Sequence, residues 1–173
     1  MRKMLTAGAT LLMLSLTACI IDASAPLDAA ADSPANQSIK TNSISSPSGE
    51  LSLTLSAENG QLTWQAEWRG ETIIAPSALG LTFKNGQDLN QNLTIASVTN
   101  NAVDQTWEQP WGERQFVRDY HNELAAEIVR EDGAPAFTLR ARIFDDGLGF
   151  RYEVPDTGKR EITDELTEFR TDP

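Results

Sequence analysis

Leu51, Leu53 and Leu55 alternate with Ser52 and Thr54, and after Asn59-Gly60 the series Leu62, Trp64, Ala66 and Trp68 alternates with Gln61, Thr63, Gln65 and Glu67. A period of two puts every second side chain on one face of a strand, and an Asn-Gly pair between two such runs marks a tight hairpin. Arg69-Gly70 turns the chain into Glu71 to Ala75, and Leu79, Leu81 and Phe83 then alternate up to the polar break Lys84-Asn85-Gly86-Gln87-Asp88. A further strand is expected from Leu93 to Val98. The second half repeats the logic: Leu124 to Arg130 passes through Glu131-Asp132-Gly133 into Phe137, Leu139, Ala141 and Ile143, and Asp145-Asp146-Gly147 leads into Phe150, Tyr152 and Val154. The off-core face of that last pair carries Arg140, Arg142, Arg151 and Glu153, a potential cross-strand charge ladder. A final strand is expected from Ile162 to Phe169. Helix competes only over Asn122 to Arg130, where β-branched Ile128-Val129 and the following Asp-Gly favour strand. About eight to ten short strands at this spacing predict an all-β chain folded as an antiparallel β-sandwich.

The N-terminal stretch has a different character. Arg2 and Lys3 precede an apolar run from Leu5 to Ala18, and Leu16-Thr17-Ala18-Cys19 closes it. The run is shorter than the roughly 18 residues a membrane span needs, and it reads as a secretory leader. A small residue before Cys19 and a leucine three positions before it resemble the lipobox of bacterial lipoproteins. That resemblance implies cleavage after Ala18 and acyl chains on both the sulfur and the new amino group of Cys19, enough for stable anchoring. An ordinary leader with an incidental cysteine is the alternative, and it would leave the protein soluble. Residue 20 is Ile rather than an Asp resembling an inner-membrane retention signal, which points to the outer membrane, facing periplasm or cell surface.

From Ile20 to Asn42 the chain is rich in Ala, Ser, Asp and Pro without a sustained period, and reads as a tether. The expected organisation is a leader at 1–18, a lipidated cysteine and tether at 19–42, and a folded domain at 43–173. With 14 Lys+Arg against 25 Asp+Glu, a net charge of −11, the 173-residue chain is unsuited to nucleic acid. Its single cysteine excludes an intramolecular disulfide.

Candidate chemistry is sparse. Glu113, Asp119 and Glu123 lie near Trp111 in sequence, and two carboxylates about 5 to 9.5 Å apart beside an aromatic platform are the minimal picture of a glycosidase site. The competing reading has them satisfying loop backbone and arginine partners. His121 stands alone and cannot build a zinc site of usual composition. Asp145-Asp146-Gly147 fits a hairpin turn better than a calcium loop. No phosphate-cradling glycine loop or serine nucleophile elbow is present. Trp64 and Trp68 share a face with Leu62 and are expected in the core. Trp107 and Trp111 fall in a Pro-Gly-marked stretch read as a loop, either as plugs or as a platform for sugar C–H faces. The candidate carbohydrate or interdomain contacts are therefore Trp107, Trp111, Glu113, Asn122 and Glu123.

Five strings occur together in order: Ser46-Pro47-Ser48-Gly49-Glu50-Leu51, Pro76-Ser77-Ala78-Leu79-Gly80-Leu81, Pro110-Trp111-Gly112-Glu113, Arg118-Asp119-Tyr120-His121-Asn122-Glu123-Leu124, and Phe144-Asp145-Asp146-Gly147-Leu148-Gly149-Phe150-Arg151-Tyr152-Glu153. Their order and β-spacing resemble the N-terminal domain of family 97 glycoside hydrolases, over roughly Ile44 to Phe169. Tyr120-His121 stands where the family more often has His-Tyr, and Pro110 where Val is usual. The resemblance implies a β-super-sandwich of galactose-mutarotase-like type, incomplete at its C-terminal end. It also implies a parent α-glucosidase or α-galactosidase with a (β/α)8 barrel, and calcium in the complete enzyme. The family's acid, its base or nucleophile, and most calcium-ligating glutamates lie beyond the segment ending at Pro173. The expectation is a truncated or separate chain without catalytic or metal-ligating residues of its own. Its expected partners are an α-glucoside or α-galactoside oligosaccharide, the catalytic barrel in cis or trans, and the membrane through its lipid. The alternatives are an autonomous, non-catalytic glycan-binding surface lipoprotein and a nonfunctional remnant.

Overall fold

A computed structural model describes residues 40–155 and 158–171. The predicted leader, Cys19 and the tether up to residue 39 lie outside the described residues. Ten strands follow in order, with no helix among the described residues: β1 (Lys40–Ser45), β2 (Leu51–Glu58), β3 (Gln61–Trp68), β4 (Glu71–Ala78), β5 (Leu81–Phe83), β6 (Leu93–Glu108), β7 (Phe116–Arg130), β8 (Pro135–Ile143), β9 (Leu148–Glu153) and β10 (Ile162–Glu165). They form two four-stranded antiparallel meanders, β1-β2-β3-β4 and β6-β7-β8-β9, and a small β10-β5 pair. The β2–β3 turn has Asn59 at φ 52° and Gly60 at φ 78°, the geometry whose twist matches the flanking strands.

Alternation becomes burial. Leu53, Leu55, Leu62, Trp64 and Ala66 of the first sheet are buried, and so are Leu124, Ala126, Ile128, Leu139, Ala141 and Ile143 of the second. These inward rows form one core. Each large aliphatic side chain removed from water contributes about 1.5–3 kcal/mol, so the sandwich rests on packing, as a chain with one cysteine requires. Trp64 is the keystone: its ring meets Phe150 and Phe169 edge-on at 5.0 and 5.2 Å, and its indole N–H donates to the Glu168 carbonyl at 3.0 Å. The C-terminal segment is thereby tied to β4, with Ala75 donating to the Arg170 carbonyl and Glu168 to that of Ala78.

Four expectations change. Lys40 to Asn42, expected in the tether, form the first half of β1, where of six residues only Ile44 is buried. A strand with one inward apolar residue leaves no alternation to read. β6 continues ten residues past Val98 to Glu108, and β7 begins at Phe116 rather than Leu124. Trp107 therefore lies on a strand and not in a loop, because outside the sandwich both faces meet water and no alternation is required. β10 stops at Glu165, and only an isolated bridge from Arg170 to Ala75 extends the pairing.

Candidate functional site

The extra length of β6 and β7 makes a projecting ribbon. β8 pairs with β7 only from Asn122 inward, so among the described residues β6 is the sole strand partner of Phe116 to His121. Directly paired residues of an antiparallel ladder point to the same side, which gives the ribbon two distinct faces. On the face continuous with the core lie Phe116, Arg118 and Tyr120, opposite Glu108, Thr106 and Asp104. On the other lie Val117, Asp119 and His121, opposite Trp107, Gln105 and Val103.

The core-side face is locked by a charge pair. Arg118 donates to both Asp104 oxygens, from Nε at 2.7 Å and from Nη2 at 2.8 Å, and its guanidinium carbon lies 4.1 Å from the Tyr120 ring centroid. The hydrogen bond from Arg118 holds the Asp104 carboxyl below its ordinary range. A planar fork bound two ways and stacked on an aromatic fixes the ribbon's shape.

At the ribbon's end, Gln109 N donates to the Gln115 carbonyl, Gln109 Nε2 to that of Arg114, and Gln115 Nε2 to Glu108 Oε1. Gly112 adopts φ 124°, and a Cβ there would sit 3.0 Å from Gln109 Nε2, so the tip needs glycine. The closed tip thrusts Trp111 outward at 84% exposure, flanked by Trp107 at 49% and Phe116 at 59%. Trp107 and Phe116 lie on opposite faces of the ribbon, so the outer end exposes aromatic surface on both sides, and Trp111 beyond them is the most exposed; large aromatics left in water mark a contact surface.

The sequence candidates therefore separate. Trp107, Trp111 and Glu113 share the ribbon's outer end, with Glu113 exposed in the tip loop. Asn122 donates through Nδ2 to the Ser45 carbonyl at 2.8 Å and fastens the ribbon's root to β1. Glu123 accepts from Arg140 at 2.7 Å and Arg142 at 2.9 Å. Burial pushes its carboxyl up, but the two guanidinium bonds outweigh it and the net direction is down. Arg140 continues to Glu153 at 2.8 and 3.1 Å, and Arg151 to Glu153 at 2.6 Å, which is the cross-strand ladder expected from the alternation. Hydrogen bonds from Arg140 and Arg151 lower the Glu153 carboxyl to about 2.

The carboxylate cluster suggested by sequence proximity does not assemble. Asp119 and Glu123 lie four residues apart on one face of one strand, about 13 Å at a strand's rise per residue, beyond the span of a glycosidase pair. Asp119 is engaged elsewhere, 2.6 Å from His121 Nδ1 and accepting from Gln105 Nε2 at 3.3 Å. His121 is 1% exposed, its ring centroid 4.9 Å from that of Phe144. Among the described residues no three His, Cys, Asp or Glu side chains converge as a metal site. Asp145 instead accepts from the Ser48 backbone at 2.8 Å and pins the β8–β9 turn to the β1–β2 turn. Sequence reasoning missed Phe116, Arg118 and Tyr120, although their spacing of two, with Trp107 upstream, was the available signal.

Comparison with known proteins agrees with this architecture. A family model of the glycosyl-hydrolase 97 N-terminal domain matches residues 44–173. The chain is 31% identical over 140 residues to a probable retaining alpha-galactosidase of Streptomyces bingchenggensis, covering 79% of this chain and 22% of that protein. It is 23% identical to the retaining alpha-galactosidase of Bacteroides thetaiotaomicron, covering 77% and 19%. Among solved structures it is similar to a family 97 enzyme from Pseudoalteromonas sp. strain K8, determined with panose and with acarbose, at TM-score 0.71 and 35% identity over 75% of this chain and 20% of that one. The chain thus spans about a fifth of the length of the curated relatives it matches.

Proposed function

Because the chain belongs to the family 97 glycoside hydrolases, matched through their N-terminal domain, we propose that it supplies a non-catalytic, carbohydrate-facing wall to a glycosidase acting on α-galactosides or α-glucosides. The ribbon tip, with Trp107, Trp111 and Glu113, is the part that meets the sugar or the catalytic barrel. Indole faces stack on sugar C–H surfaces while a neighbouring carboxylate accepts hydroxyl protons. Asn122 and Glu123 act one step removed, by fixing the ribbon's root and the sheet behind it. The acid, the nucleophile or base, and the calcium ligands belong to the barrel side. Cys19 carries the lipid that holds the protein at the outer membrane, and residues 19–39 give it reach.

The observation that carries this reading is Trp111, 84% exposed on a tip that hydrogen bonds hold closed. The test is hydrolysis of aryl α-galactosides and α-glucosides by the full chain, with and without calcium. No turnover is expected. Turnover abolished by Glu113→Gln would overturn the reading, because the chain would then hold its own catalytic carboxylate. A second reading, an autonomous glycan-binding surface lipoprotein, is favoured by the same exposed tryptophan. Saturable binding of a malto-oligosaccharide by the isolated chain in the micromolar range would favour it over the wall.

A further inference from the structure

The outer face of the second sheet carries a depression of about 340 Å³ bordered by Arg140, Arg142, Phe144, Gly149 and Arg151. Its origin is the ladder register: Arg142 stands opposite Gly149 and Arg140 opposite Arg151, so the missing side chain at Gly149 leaves a gap between Arg142 and Arg151. A Cβ added at Gly149 would meet nothing within 4 Å. Phe144 walls the gap and is braced from behind by the buried His121 ring at 4.9 Å.

The guanidiniums there are unequally engaged. Arg140 is the most engaged, with Nε and Nη2 on Glu153 and Nη1 on Glu123. Arg142 uses only Nε, toward Glu123, and Arg151 uses Nε and Nη2 on Glu153. Both Nη atoms of Arg142 and Nη1 of Arg151 therefore point no donor at any other described residue. Glu123, Glu153 and Asp119, whose carboxylate lies within the field of Arg142, balance the three arginines, so this face is neutral in a chain whose net charge is −11.

We propose that this depression is a second binding site, separate from the ribbon tip, for an acidic sugar of the hexuronate class. The free guanidinium donors of Arg142 and Arg151 take the carboxylate, and Phe144 takes the C–H face of the ring. A guanidinium matches a carboxylate in planar, two-point geometry, and an aromatic wall adds the apolar contact that a bare anion cannot use. Elsewhere the chain's negative charge repels such a ligand.

The test is titration of the full chain with D-glucuronate, D-glucose and sodium sulfate at matched low ionic strength, followed by calorimetry and by the arginine Nε–H resonances. Glucuronate is expected to saturate at millimolar concentration and to move the Arg142 and Arg151 signals, with glucose silent and sulfate about ten-fold weaker. Arg142→Gln and Gly149→Leu are each expected to weaken glucuronate binding about ten-fold. The second variant fills open space and improves strand propensity, so it tests the site without unfolding the sheet. Sulfate binding as tightly as glucuronate would overturn the sugar assignment and leave a plain anion site. Absence of saturation in folded protein, or binding that survives Gly149→Leu, would overturn the site itself.

Discussion

Removing the Glu123 carboxylate separates a structural role from a ligand-contact role. Glu123 is 14% exposed and accepts two charge-assisted bonds, from Arg140 at 2.7 Å and Arg142 at 2.9 Å. A hydrogen bond to a charged group is worth about 1.5–3 kcal/mol when sheltered. The Arg140 bond falls near the lower end of that range, because Arg140 is 29% exposed and keeps Glu153 after the change. Arg142 is 46% exposed, so its bond contributes only about 0.5 kcal/mol. Glu123→Ala should therefore cost about 2 kcal/mol, or a fall in Tm of about 6–10 °C for a domain of this size. Urea unfolding should show a lower midpoint at unchanged slope. A double-mutant cycle with Arg140→Ala should return a coupling of about 1–1.5 kcal/mol, larger than the cycle with Arg142→Ala. A Tm within 1 °C of wild type, together with a lost sugar response, would refute this and make Glu123 a ligand contact.

The same geometry sets the response to acid and to changes at Trp64. The Glu153 carboxyl is lowered from 4.5 to about 2, and those of Asp104, Asp119, Asp145 and Glu123 are lowered as well. Between the ordinary and lowered values the unfolded chain binds more protons than the folded one. The stability these groups contribute is therefore complete above about pH 5 and lost as pH falls toward 2, and thermal melts across that window should show Tm falling with acid. A flat profile would mean the guanidinium ladder does not form in solution. Trp64→Ala should cost about 3–5 kcal/mol by loss of a buried indole. Trp64→Phe, which keeps most of the ring contacts but not the N–H to Glu168, should mainly raise amide exchange in 166–170. Protection there unchanged in Trp64→Phe would refute the tie between β3 and the C-terminal segment.

The hairpins around Asn59-Gly60 and Asp132-Gly133 were readable because each flanking strand has one buried and one wet face, which writes a period of two into the residues; at Arg69-Gly70 only the turn pair itself was legible, since β4 beyond it does not alternate. The guanidinium ladder was readable for the same reason, since the off-core positions of β8 and β9 follow once the core positions are known. The outer ribbon was not. With water on both sides, Thr99 to Thr106 need no alternation, and Trp107 looked like loop because Pro110 and Gly112 lie nearby. Glu113, Asp119 and Glu123 are near in sequence, but a strand stretches the four-residue interval from Asp119 to Glu123 to about 13 Å. The tryptophans fared better. Burial of Trp64 follows from its register with Leu62, and the exposure of Trp111 follows from a closed tip with no core beneath it.

The central claim is that the ribbon tip is the carbohydrate-facing surface. The four indole N–H resonances report on it directly, because Trp64 is buried in the core, Trp68 packs against it, and Trp107 and Trp111 stand at the tip. Titration of the full chain with panose and with an α-galactoside, followed in these four signals, is predicted to shift Trp107 and Trp111 saturably while Trp64 and Trp68 stay fixed. Saturable shifts confined to Trp64 and Trp68, or no shift at the tip with sugar in the tens of millimolar, would contradict the account.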